Sequence, residues 1–160
     1  MGVPRRRQVW RMSVVQLGTW LMLVAGGLWA GGILIFAVER TNLWARMSIE
    51  QYAVDFRRSL YRVDPLLPAL GVISCAGTAV FALGSHGRAQ VLGWISLALI
   101  AAVIVCSIVI AEPINSKFRR LTEGQVPVEA ERHRARWRRF HAIRGVVAMI
   151  AFACMAAAVA

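Results

Sequence analysis

Two short clusters hold the side chains whose types and spacing could do chemistry. Glu112-Pro113-Ile114-Asn115 ends one apolar run, and Trp137-x3-His141-x2-Arg144 begins another. Both sit where a membrane-crossing helix would meet lipid headgroups, and ionisable groups in that position are candidates for function. Trp137, His141 and Arg144 stand at i, i+4 and i+7 and so share one stripe of a helix, as Glu112 and Asn115 do at i and i+3. Glu112 could accept a proton or pair with Arg144, and His141 could act as a general base near neutral pH. Asn115 and Arg144 could hold a phenolate or carbonyl oxygen, and Trp137 could stack on a planar ring. Such a set suits an aromatic, weakly acidic small molecule arriving from lipid. The plainer alternative makes Glu112–Arg144 a structural ion pair, Asn115 a helix cap, His141 a satisfied interfacial residue and Trp137 part of an aromatic belt.

A metal could recruit Glu112, His133 and His141, but the two histidines are eight residues apart, too far for adjacent-turn ligation, and no second His–carboxylate pair accompanies them. No tight metal site is therefore expected from these residues. Cys75, Cys106 and Cys154 lie singly in three apolar runs without CxxC spacing, which fits small buried residues better than disulfides or zinc.

The elements that must position these groups are four apolar spans, Ser13–Val38, Leu66–Leu83, Val91–Ala111 and about Ile143–Ala160, in one domain of 160 residues. With 58% hydrophobic residues, the chain is predicted to be an all-α, multi-pass integral membrane protein of the cell membrane, folded as a four-helix bundle. Arg5-Arg6-Arg7 ahead of an apolar run resembles a secretory signal, but Ser13–Val38 exceeds a signal core and is read as a retained helix. Gly26, Gly27, Gly31 and Gly32 are expected to let a neighbouring helix approach closely. From Gly145 to Ala160 a helix covers only about 24 Å, so the turns carrying His141 and Arg144 must be drawn to the membrane edge, with Arg144 snorkelling or paired inside the bundle.

The connection Glu39–Asp64 carries an amphipathic helix, with Ser48 and Gln51 in capping-box spacing, Tyr52, Phe56 and Leu60 on one face, and Asp64-Pro65 as its stop. It either lies on the membrane surface or caps a pocket, and capping would bring Tyr52 to a bound substrate. The short turn Gly84–Arg88 requires an antiparallel hairpin and leaves His86 solvated. Pro113 removes a backbone donor, so the Val109 carbonyl needs a kink or another donor such as Arg144.

The net charge of +11 is almost wholly arginine and is gathered beside the apolar runs, which favours lipid headgroups over nucleic acid as partners. Arg132, Arg134, Arg136, Arg138 and Arg139 encircle a helix and should meet headgroups, Glu129, Glu131 and solvent. Counting basic residues puts the two long connections in the cytoplasm, with five and nine, whereas Arg5, Arg6, Arg7 and Arg11 argue for the opposite topology. Self-association into a homo-oligomer is left open.

The order of parts resembles the anthrone oxygenase-like membrane family, most of whose members are classed under a domain of unknown function. The resemblance rests on four spans, an amphipathic first connection, Pro113-Ile114-Asn115 closing the third span, and Trp137, His141 and Arg144 opening the fourth. It implies an oxidoreductase that uses molecular oxygen on an anthrone, phenolic or quinone-type molecule, with no obligatory metal or flavin. On that implication His141 is the favoured base, Asn115 and Arg144 stabilise the enolate oxygen, and Trp137 is a stacking wall. The alternative is a non-enzymatic membrane subunit or a lipid- or small-molecule-binding protein. A transporter fits less well, because the polar groups lie at the span ends and not at the midplane.

Overall fold

Four stretches of Leu, Val, Ile, Ala and Gly run almost without charge, and in lipid a single segment can satisfy all its backbone groups only as a helix. The computed structural model, which describes residues 5–63, 65–122 and 124–160, is helical almost throughout and has no strand among the described residues. Helix α1 is Arg5–Ile35; a π turn, Phe36–Arg40, carries it into α2, Thr41–Arg46. Next come α3, Ile49–Arg62, α4, Leu66–Gly84, and α5, Gly87–Cys106, which passes through a second π turn, Ser107–Ala111, into α6, Glu112–Arg119. The final helix, α7, is Ala130–Val159. Asp64, assigned above as part of a stop signal, lies outside the described residues, as do the side chains of Arg5, Arg6, Arg7 and Arg11.

The expected all-α four-helix architecture is present, and four rods are long and apolar enough to cross a membrane: Val14–Arg46, Leu66–Gly84, Gly87–Arg119 and Ala130–Val159. Three of them outrun their apolar stretches. Arg, Glu, Lys and Ala are good helix formers, so the backbone stays helical after the side chains cease to be apolar. A 33-residue rod is about 50 Å long against about 30 Å of hydrocarbon. The surplus of all three projects on the side that carries the two long connections.

The glycines show how the rods pair. Along α1, Gly18 lies against Val80 and Gly77, Gly26 against Ser74, and Gly32 against Leu67, so α1 and α4 run antiparallel. Helix α7 is antiparallel to α1, since Ile33 meets His141 while Gly27 meets Phe152. Ser96 Oγ of α5, shared with Leu92 O, lies 3.2 Å from Ala151 O of α7. The helices therefore form a ring in the order α1, α4, α5, α7. Of the four glycines singled out in α1, Gly26, Gly27 and Gly32 are at close approaches, whereas Gly31 has open space beside it. The tightest approach to a neighbouring backbone is at Gly77, where a Cβ would sit 2.6 Å from Met22 N.

Helix α3 begins with the expected capping box, Ser48 Oγ accepting from Gln51 N and Gln51 Oε1 from Ser48 N, both at 3.3 Å. Its Tyr52, Ala53, Phe56 and Leu60 are buried against α6 and α7. Protein covers its apolar face, so it caps the projecting helix ends. His86, exposed at the α4–α5 turn, is solvated as expected.

Candidate functional site

Both π turns lie where a rod leaves its apolar run, and such register slips recur at functional positions. In the first, Thr41 N–H bonds Phe36 O, while Thr41 Oγ1 bonds Ala37 O and Asn42 Nδ2 bonds Val38 O at 2.7 Å, so side-chain donors reach two carbonyls of the turn. In the second, Glu112 N–H bonds Ser107 O, and Ser107 Oγ donates to Val103 O at 2.7 Å. Pro113 follows directly. Its missing N–H is thus accommodated by a widened turn just before it, one of the recognised causes of helix deformation.

Beside this turn is a cavity of about 280 Å³ to which all four spans contribute. Its walls are mostly apolar: Trp29 and Ile33 from α1, Leu67, Pro68 and Val72 from α4, Val103 and Ile104 from α5, and Ile108 and Ala111 from the π turn. Val72 and Ile108 are themselves exposed, so the cavity opens onto the apolar outer surface of the bundle. Glu112, Asn115 and Arg144 form its polar end. The structure therefore brings together these three predicted site residues from two clusters 29 to 32 residues apart in sequence.

Each polar group at that end is held in place. Ser116 Oγ donates to Glu112 Oε1 at 2.8 Å, and Arg119 Nη2 makes a shorter ion pair with the same oxygen. Trp137 Nε1 donates to Asn115 Oδ1 at 3.1 Å. Arg144 is half-buried, with its guanidinium carbon 5.7 Å from the Trp137 and Phe140 ring centres, a cation–π arrangement. The ion pair Glu112–Arg119 was not among the sequence readings, although i and i+7 on one helix signal it.

Trp137, His141 and Tyr52 lie elsewhere, within packed aromatic rings. Trp137 stacks on His141 with centroids 4.7 Å apart and planes 11° apart, and its edges meet Trp44 and Phe56. It touches the cavity through Asn115. His141 is fully buried, with Nε2 3.2 Å from Ile33 O. Because a carbonyl only accepts, Nε2 carries the proton and Nδ1 the lone pair, and Nδ1 is buried without a hydrogen-bond partner. Ile33 stands between this ring and the cavity. Tyr52 is fully buried between Trp44, Phe56 and Phe118, its Oη without a partner, and burial pushes its phenol pKa well up despite the opposing fields of Arg134 and Arg138.

Two further networks lock the projecting ends together. Asp55 Oδ2 accepts from Trp44 Nε1 at 2.6 Å and Arg40 Nη1 at 3.2 Å, and Arg134 donates to Trp44 O and Met47 O. His133 is 2.9 Å from Lys117 Nζ through Nε2 and 2.8 Å from Glu129 O through Nδ1, so it belongs to a different contact from His141. No group of three or more His, Cys, Asp or Glu side chains converges among the described residues.

Residues 56–154 match a family model described as anthrone oxygenase, a stretch running from the middle of α3 into α7. It includes Glu112, Asn115, Trp137, His141 and Arg144, and leaves out α1 and Tyr52. No curated protein and no solved structure gives a significant match.

Proposed function

The chain belongs to the anthrone oxygenase family, and from that membership we propose that it oxidises a hydrophobic phenolic or anthrone-type molecule with molecular oxygen, as a multi-pass protein of the cell membrane. One observation supports the reading above others: an apolar cavity open toward lipid that ends in a carboxylate, a carboxamide and a guanidinium.

A carbon between two aromatic rings and conjugated to a carbonyl is acidic enough for a carboxylate to take its proton in a water-poor site. Glu112 takes that proton, since it is the carboxylate in the cavity wall. The resulting negative charge spreads onto the substrate oxygen, where Arg144 and Asn115 stabilise it. The carbanion gives electrons to molecular oxygen, and protonation leaves a hydroperoxide on carbon. Breaking its O–O bond with loss of the second C–H proton releases water and leaves a carbonyl, so that a methylene and a dioxygen molecule become a ketone and a water. His141, behind Ile33, serves as a positioning residue that fixes the Ile33 carbonyl, and Trp137 orients Asn115.

Oxygen uptake and quinone formation by the purified protein in lipid nanodiscs, with a panel of anthrones, tests this reading. Turnover should fall by roughly 10²-fold or more in Glu112→Gln and in Arg144→Gln. Absence of oxidation by the folded wild type across the panel would leave only binding. A folded His141→Ala protein that has lost turnover, beside a Glu112→Gln protein that keeps it, would assign the base to His141 instead. The sealed packing of Trp137, His141 and Tyr52 favours the second reading, a non-enzymatic membrane subunit or small-molecule binder, in which ligand is retained without any oxygen uptake.

A further inference from the structure

On the other side of the α5–α6 rod from the oxidation cavity, a second pocket of about 270 Å³ lies between that rod and the start of α7. Its chemistry changes along its length. Val109, Ile110, Pro113 and Ile114 make an apolar floor, and Val109 is 65% exposed, as expected of a side chain facing acyl chains. One to two turns further out stand Lys117, Arg132 and Arg136, with Glu129 as the single carboxylate, a formal balance of three positive charges to one negative.

One of these cations is built into place. His133 is buried, and its Nδ1–H points to Glu129 O at 2.8 Å, which leaves the Nε2 lone pair to accept from Lys117 Nζ at 2.9 Å. A neutral imidazole thus pins the ammonium on the pocket wall while leaving it two protons for a ligand. Below the pocket, antiparallel packing of α5 on α7 continues the floor. The exposed Val105 and Val109 lie along α5 and the π turn that follows it, and the exposed Ile143 and Val146 along α7.

We propose that this pocket is a binding site for one anionic phospholipid, its phosphodiester held by Lys117, Arg132 and Arg136 and an acyl chain laid along Val109 and Val105. A free inorganic phosphate would use the cations but gain nothing from the apolar floor. A zwitterionic lipid would bring a choline or ethanolamine cation into a pocket already in positive excess. The site shares no lining residue with the oxidation cavity and stands or falls independently of that reading.

The test uses the full chain reconstituted in equal parts phosphatidylcholine and phosphatidylglycerol, then extracted in mild detergent, with retained lipid counted by native mass spectrometry. One phosphatidylglycerol per chain should be retained in preference to phosphatidylcholine. Each cation removed in Arg132→Gln and Arg136→Gln should weaken that preference roughly five-fold. Glu129→Gln should strengthen it, a gain that misfolding cannot produce. A control lacking two charges elsewhere, Arg57→Gln with Arg58→Gln, should keep it. Equal retention of both lipids, equal loss in the control, or displacement of the lipid by millimolar inorganic phosphate would each overturn the site.

Discussion

Trp137 shows how a residue can brace a cavity wall without lining the cavity itself. Its indole N–H fixes the Asn115 carbonyl oxygen, and its face supports both His141 and Arg144. Trp137→Phe keeps a ring but removes the buried donor that Asn115 Oδ1 holds, so it should cost about 1–3 kcal/mol, measured by thermal unfolding in detergent. Tyr52 argues the other way. Its hydroxyl is buried without a partner, so Tyr52→Phe should be neutral or stabilising. Folding raises this phenol above its ordinary value of 10.0, mainly through burial. Below that value both states keep the proton and Tyr52 adds no pH dependence. Above it, the unfolded chain releases a proton that the folded chain retains, so stability falls as pH rises further. Unfolding temperatures from about pH 8 to about pH 11 should show this decline in wild type and a smaller one in Tyr52→Phe. An equal decline in both would place its cause in other groups.

At the scale of elements, the π turn Ser107–Ala111 decides which way α6 faces. An inserted or deleted residue turns everything beyond it by about 100° relative to α5. Deleting Ile108, an exposed residue of that turn, should swing Glu112 and Asn115 out of the cavity and abolish turnover, while circular dichroism still reports a helical protein. Preserved turnover would show that the turn does not set the site. The α1–α4 seam offers a sharper contrast. A Cβ at Gly77 would meet backbone atoms, Met22 N at 2.6 Å and Gly18 O at 2.9 Å, so Gly77→Ala should destabilise by about 1–3 kcal/mol. Gly31 faces open space inside a helix, so Gly31→Ala should be tolerated or gain up to about 1 kcal/mol. Paired unfolding measurements in one detergent check both.

At the scale of the whole molecule, the bundle is a membrane part joined to a cap. Helix α2, helix α3, helix α6 and the first turns of α7 enclose an aromatic cluster centred on Trp44, Phe56 and Trp137, and this cap closes over the end of the spans next to the cavity. Both long connections feed the cap and so share one side. Reporters fused after Arg88 and within residues 126–131 should therefore report opposite sides of the membrane, with the second in the cytoplasm if basic residues in the connections govern orientation. A common side for the two reporters would contradict the four-span topology.

The linear pattern was enough for the four spans, the capping box of α3, its buried face and the family. Each depends on local periodicity or on side chains a turn or two apart. It also marked Glu112, Asn115 and Arg144, because charge at the edge of an apolar run is conspicuous in one dimension. Which of the marked residues face the cavity was decided by tertiary structure alone. Trp137 and His141 share a stripe with Arg144, yet the packing of Phe36, Trp44 and Ile33 against that stripe seals two of the three and leaves the third at the cavity. The π turns were equally hidden, since a one-residue slip alters no composition or hydropathy and shows only when hydrogen bonds can be traced from donor to acceptor. Helical periodicity says which residues point together; only the neighbouring helices fix what they point at.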